Sequence, residues 1–200
     1  MKRILCIAGL LLTLGAVQAR AEFHLQAGGG VHVPNGDSAR FLEKGYRLGG
    51  GMELKSGQVG ILLDFAYNRD NVNSAESEKE FRKNRPAFPS AAPLHIDGVA
   101  QVYELNLSPK FYLLDTETIG AFLIAGGGPR WLKKRVTVDL PPAQTDLHPK
   151  SSQTSLGLQL GFGVEAALPG SFRIGLSPTY HWVFADKRVQ YAAMTAYLKL

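Results

Sequence analysis

Cysteine is nearly absent from this 200-residue chain: Cys6 is the only one. A framework of disulfides, a catalytic thiol and a thiolate metal centre are therefore excluded for nearly all of its length. Long apolar runs are absent too. After residue 21 no stretch is long and apolar enough for a transmembrane helix. An excess of one charge is also missing from most of the chain. Lys and Arg number 22 against 17 acidic residues, but Lys2, Arg3 and Arg20 fall within the first 21 residues, which leaves 19 against 17. So balanced a remainder gives no electrostatic footprint for nucleic acid.

The N-terminus is where the exceptions gather. Lys2 and Arg3 make a positive start, Ile4 to Val17 is apolar, and Val17-Gln18-Ala19 and Ala19-Arg20-Ala21 both have small-x-small spacing. This predicts an export signal over residues 1–21, cleaved after Ala21, and one domain over 22–200. The apolar stretch is short for a spanning helix. An exported chain without such helices can sit in a membrane only as a closed barrel.

Eight segments alternate apolar and polar residues: 23–33, 45–55, 58–68, 99–113, 118–132, 153–168, 172–184 and 190–200. Period two marks β-strands with two unlike faces. Tight turn sequences follow the second, fourth and sixth segments: Lys55-Ser56-Gly57-Gln58, Leu114-Asp115-Thr116-Glu117 and Leu168-Pro169-Gly170-Ser171. Long polar links follow the first, third and fifth; the third spans Arg69 to Gly98, and the fifth opens with Lys133-Lys134-Arg135. The seventh link, Ala185 to Val189, is short. An even strand number with turns at one end and loops at the other predicts an all-β, eight-stranded, antiparallel, up-and-down transmembrane barrel, turns toward the periplasm and loops outside. The last strand ends at Leu200, and no further domain is expected.

Alternation does not say which face meets water. In Leu156–Ala166, LGLQLGFGVEA, one face carries Leu156, Leu158, Leu160, Phe162, Val164 and Ala166 and the other Gly157, Gln159, Gly161, Gly163 and Glu165. The polar faces settle the expectation. They are rich in glycine, as a narrow interior requires where large side chains need small ones opposite. They also carry charges of both signs: Arg47, Lys55, Lys110, Arg130, Arg173 and Lys199 against Glu53, Asp64, Glu104 and Glu165. Confined charges must pair, so the interior is expected to be salt-bridged and plugged. On the apolar faces Tyr67, Trp131, Trp182 and Phe184 fall at loop ends and Phe23, Phe111 and Phe172 at turn ends, which predicts two aromatic girdles.

Three stretches then invite comparison: AGGGPRW at Ala125–Trp131, LGLQLGFGVEAAL at Leu156–Leu168 and the closing YAAMTAYLKL at Tyr191–Leu200. With them, residues 22–200 resemble the small eight-stranded outer-membrane barrels of the OmpA/OmpX type. The resemblance implies the outer membrane of a Gram-negative bacterium and insertion by the barrel assembly machinery. That family usually ends in an aromatic residue; Leu200 stands there, with Leu198 keeping the apolar spacing.

Chemistry is sparse. Some small outer-membrane barrels modify lipid with a Ser/His pair, but Ser177 and His181 lie four strand residues apart, roughly 13 Å, too far for proton transfer. No enzyme activity is expected. His24 and His181 are read as interior residues, and His95 and His148 as loop residues. No histidine pair has metal-ligand spacing, and the Gly triplets at 28–30, 49–51 and 126–128 sit in strands without the helix and lysine of a phosphate loop. No cofactor or metal is expected.

Basic residues just beyond the upper girdle are the sharpest feature. Lys133, Lys134 and Arg135 follow Trp131, and Lys187 and Arg188 follow Phe184. They would stand level with lipopolysaccharide phosphates. The 69–98 loop is the natural place for an extracellular partner. The role expected is structural or interactive: envelope integrity, adhesion or loop-mediated binding. A small-solute channel, a lipid-modifying enzyme and a soluble periplasmic ligand-binding barrel are the alternatives.

Overall fold

The computed structural model describes residues 21–86, 93–139, 150–185 and 189–200. Eight strands run in chain order: β1 (Glu22–Asn35), β2 (Gly45–Ser56), β3 (Val59–Asn71), β4 (His95–Asp115), β5 (Ile119–Asp139), β6 (Lys150–Ala167), β7 (Arg173–Val183) and β8 (Val189–Lys199). Each pairs antiparallel with the next, and β8 pairs with β1 to close the barrel. Closure extends to the end of the chain, where the Leu200 N–H donates to Leu25 O at 2.8 Å and the Leu25 N–H to Leu200 O at 2.9 Å. Over the height common to all eight strands the ladder is closed and no edge is left open, the condition for β-structure in lipid.

The apolar face of β6 points outward. Leu156, Leu158, Leu160 and Phe162 are 66%, 51%, 54% and 58% exposed, whereas Glu165 on the same strand is buried. The same inversion holds for Leu48, Met52 and Leu54 against Arg47 and Glu53 on β2. A water-soluble protein would hide the first set and expose the second. The expected eight-stranded barrel is thus present, with its hydrophobic surface outside and its charges within.

Turn chemistry explains the tight end. Gly57 adopts φ 58° between β2 and β3, and Gly170 φ 83° between β6 and β7; both are left-handed conformations that glycine takes without a Cβ penalty. At the β4–β5 turn, Thr116 Oγ1 donates to Ile119 O at 2.9 Å and accepts from the Ile119 N–H at 3.0 Å.

The loop end differs from the expectation in two ways. First, β3, β4 and β5 run further, to Asn71, from His95 and to Asp139. Lys133, Lys134 and Arg135 are strand residues of β5 rather than loop residues. Above the apolar belt both faces of a strand are wet, so alternation fades although the ladder continues. Second, the 69–98 link contains a helix, α1 (Ser74–Asn84). Asn73 caps it, accepting from the Glu76 N–H at 3.2 Å, with Glu76 in the first turn and Arg82 and Lys83 in the last, as the helix dipole favours. A short 3-10 turn at Gly36–Arg40 occupies the first link.

Candidate functional site

The interior is built by parity. Every second residue points in, and the register brings inward residues of neighbouring strands level. Near the loop end, Arg47 of β2, Glu104 of β4 and Arg130 of β5 converge. Arg47 Nη1 donates to Glu104 Oε1 at 3.0 Å, and Arg130 Nη2 lies 3.6 Å from Glu104 Oε2. The Tyr191 hydroxyl of β8 and the Asn68 side-chain amide of β3 also donate to Glu104. His181 of β7 stacks on Tyr191 at 4.5 Å, with Nδ1 3.6 Å from Glu104 Oε2. One carboxylate therefore gathers side chains from β2, β3, β5, β7 and β8 across the interior.

Near the turn end lies a square of four charges. Lys110 Nζ is 2.9 Å from Glu53 and 3.1 Å from Glu165, and Lys199 Nζ is 3.0 Å from Glu53 and 3.3 Å from Glu165. Tyr112 donates to Glu53 at 2.7 Å and Tyr197 to Glu165 at 2.8 Å. All four ions are buried. Two positive and two negative charges, each bonded to both opposite partners, offset a desolvation cost that none could bear alone.

Between the clusters is a cavity of ≈ 70 Å³ lined in part by Gln26, Asp64, Gln159 and Ser177. Asn106 donates to Asp64 at 3.0 Å and Gln159 to Ser108 at 2.6 Å. Gln26 Oε1 and Asp64 Oδ1 are buried without a protein partner, which suits a few ordered waters.

Three sequence expectations change here. Arg173 does not enter the charge square; its Nη2 donates to the Thr116 and Glu117 carbonyls at 3.0 and 3.4 Å, bracing the β4–β5 turn. Lys55 pairs with Asp115 at 2.8 Å rather than with an interior acid. His24 pairs with the exposed Glu22 at 3.4 Å. Sequence reasoning missed the buried His32–Asp70 pair, at 2.5 Å. Asp70 shares the parity of Asp64 and Asn68, so carrying β3 two residues further would have found it.

Among the described residues no group of three or more His, Cys, Asp or Glu side chains is placed to hold a metal ion. Ser177 and His181 do not meet. Ser177 Oγ donates to Phe162 O at 3.0 Å, and His181 Nε2 lies 2.8 Å from Thr179 Oγ1.

On the outer wall, Tyr67, Tyr103 and Trp131 are paired directly across β3, β4 and β5. Tyr46 packs on Tyr67 at 6.1 Å, and Tyr180 on Trp182 at 4.7 Å; neither Tyr46, Tyr103 nor Tyr180 was in the expected girdle. Phe184 is exposed at this end, and Phe23, Phe111 and Phe172 are exposed at the other. Between Phe111 and Tyr103 the belt on β4 is roughly 20 Å tall after allowing for strand tilt.

One step above the Tyr67–Tyr103–Trp131 row lies the row Arg69, Gln101, Lys133 and Ser152, also in direct register. Arg135 follows on β5. Lys134 has the opposite parity, although all three β5 cations border one recess. Lys187 and Arg188 lie outside the described residues, as does His148.

Higher still, α1 rests on the β4–β5 hairpin. Phe81, like Val136, packs against the buried cluster of Leu94, Ile96 and Val138. Arg40, from the 3-10 turn, donates to Glu76 and Glu80 at 3.2 Å each. The Asn73 N–H donates to Phe41 O at 2.9 Å, and Leu42 bridges Val72. The 3-10 turn and α1 thus form one packed cap at the loop end of the barrel.

The architecture recurs in solved outer-membrane proteins. Neisserial surface protein A is 18% identical with a TM-score of 0.56, the match covering 90% of this chain and 98% of that one. For a major outer membrane protein of Thermus thermophilus the values are 12%, 0.57, 90% and 100%. For Ail, the attachment invasion locus protein of Yersinia pestis, crystallised with the heparin analogue sucrose octasulfate, they are 16%, 0.50, 90% and 99%. At such identities the likeness is one of fold. No protein of curated function matches the sequence. The model of the outer membrane protein β-barrel domain matches residues 4–198, and with lipid-facing leucines around a charged interior, the chain belongs to that family of Gram-negative outer-membrane barrels.

Proposed function

We propose that this barrel is a closed scaffold, not a solute pore, and that it serves envelope integrity or surface contact by holding the α1 cap outside the membrane. The observation that carries this reading is Glu104: its partners come from five other strands and cross the interior from wall to wall. The lower charge square repeats the closure nearer the turn end. A conducting lumen would need both clusters to part, at the cost of leaving ions unpaired. The cap supports the second half of the reading. Its helix is anchored by Phe81 and Arg40, while Ala75, Lys79 and Lys83 face solvent, an arrangement suited to presenting a surface to a partner.

The test has two parts. Purified barrel in a planar bilayer should show no steady conductance at neutral pH; regular steps would sink the closed-scaffold reading. Cells lacking the protein should then be complemented with a chain whose residues 74–84 are replaced by a Gly/Ser linker. Restored resistance to detergent assigns the role to the barrel wall. Failed rescue, with normal membrane insertion, assigns it to the cap.

A further inference from the structure

We infer that the outer wall carries a phosphate-binding groove, formed by Arg69, Lys133 and Arg135, that holds the phosphorylated head group of lipopolysaccharide. The inference stands apart from the question of conductance, because the groove lies outside the barrel.

Register creates the site. Arg69, Gln101, Lys133 and Ser152 occupy one cross-strand row on β3, β4, β5 and β6, and Arg135 stands one inward–outward repeat above Lys133 on β5. These residues border a recess of ≈ 400 Å³, with Ser151 and Lys134 at its side. Neighbouring strands are ~4.8 Å apart, so Arg69 and Lys133 flank Gln101 at roughly 10 Å between their Cα atoms. Long side chains can close on one phosphate across that span or hold two.

The electrostatics favour an anion from outside the protein. Arg69, Lys133 and Arg135 are exposed, and among the described residues none has a carboxylate within salt-bridge distance. Asp97, the outward-facing acid of β4 above Gln101, is already engaged by His95 at 2.8 Å and by Ser74 at 3.2 Å. Lys133 Nζ instead lies 5.2 Å from the centre of the Tyr103 ring. Gln101 donates to the Tyr67 hydroxyl at 2.9 Å, tying the polar row to the aromatic row beneath it. Arginine forks and lysine ammonium groups beside serine hydroxyls are the donor set that phosphate oxygens accept from.

Height identifies the source of the phosphate. The row sits one repeat above the Tyr67–Tyr103–Trp131 girdle, which marks the upper edge of the hydrocarbon. At that level in an outer leaflet stand the phosphates of lipopolysaccharide. Its acyl chains would run down over the apolar faces of β4–β6, past exposed Leu105, Leu107, Leu158 and Leu160. Binding thus joins charge pairing to a hydrophobic seat, which a free phosphate cannot use.

The test uses bisphosphorylated lipid A, dephosphorylated lipid A and inorganic phosphate as probes against the folded barrel in detergent. Retained lipid is read by native mass spectrometry. The variant is Arg69→Gln/Lys133→Gln/Arg135→Gln, with Lys79→Gln/Lys83→Gln/Arg85→Gln on α1 and its C-cap as a charge-matched control away from the groove. Both are checked for folding by the heat-dependent gel shift. Wild type and control should retain the bisphosphorylated lipid, and the groove variant should lose it by tenfold or more. Dephosphorylated lipid A should bind wild type poorly, and inorganic phosphate should compete only at far higher concentration. Equal retention by the groove variant, equal loss in the control, or equal binding of the dephosphorylated lipid would each overturn the assignment. Tight binding of inorganic phosphate alone would overturn the lipid as its source.

Discussion

Arg47 and Glu104 meet at 3.0 Å inside the barrel, both buried by the surrounding wall. Two ions so placed have left most of their hydration behind, and the attraction between them offsets that cost. Replacing Glu104 with Gln keeps the shape, removes the counter-charge of Arg130 and leaves Arg47 only the more distant Asp64, at 4.0 Å. The expected cost is about 3 kcal/mol, at the lower end for a broken buried pair because some cavity water can rearrange. Urea unfolding in lipid vesicles, followed by tryptophan fluorescence, would measure it. A loss under ~0.5 kcal/mol would show that the interior is as wet as bulk solvent.

Among the described residues the two interior clusters share no ion-pair partner. Glu104 serves Arg47 and Arg130, and Glu53 serves Lys110 and Lys199. Glu53→Gln should therefore destabilise the barrel by a similar amount, and the Glu53→Gln/Glu104→Gln pair should add to within ~0.5 kcal/mol. A coupling well above ~1 kcal/mol in the same unfolding assay would mean that the clusters act as one network through the cavity between them.

Much of this interior was legible because parity is a strict rule. Once Leu156–Phe162 was placed outside, Glu165 had to be inside, and so did Glu53 and Lys110 on their strands. Pairing choices were not legible. Lys55 and Lys199 both point inward, yet only Lys199 reaches Glu165, because pairing depends on shear and side-chain reach. The region above the membrane was the least readable. There β3–β5 continue without apolar alternation, so Asp70 and the start of β4 were lost. The helix α1 has one large apolar anchor, Phe81, too little for a 3.6-residue period; its Asn73…Glu76 cap was the available signal.

Gly163 and Phe122 face each other in register between β6 and β5, and a Cβ on Gly163 would overlap the Phe122 ring. The same relation links Gly175 to Tyr197 on β7 and β8. Gly163→Val should cost about 1–3 kcal/mol by overpacking, and Phe122→Ala should recover part of it in the double variant. The midpoint of the heat-dependent gel shift reads both. No rescue by Phe122→Ala would place the strain in the β6 backbone rather than in the ring.

The cap should depend on pH through Glu76. Hydrogen bonding from Arg40, with the nearby Lys79 charge, holds its carboxyl below the ordinary value of 4.5. A group whose value is lower in the folded state stabilises that state above its unfolded value and loses the effect as pH falls through the folded one. The Arg40–α1 contact should therefore be intact at pH 6 and weaken below about pH 4. The groups are solvent-exposed, so the loss should loosen the helix without unfolding the barrel. A nitroxide on Lys83→Cys can report this, since Cys6 is the only native thiol and a refolded 22–200 chain lacks it. Spectra should be broad at pH 6 and sharpen at pH 3. With Arg40→Gln they should be sharp at both. A broad spectrum for Arg40→Gln at pH 6 would mean that Phe81 packing alone holds α1 down, and that the arginine clamp does not determine the cap.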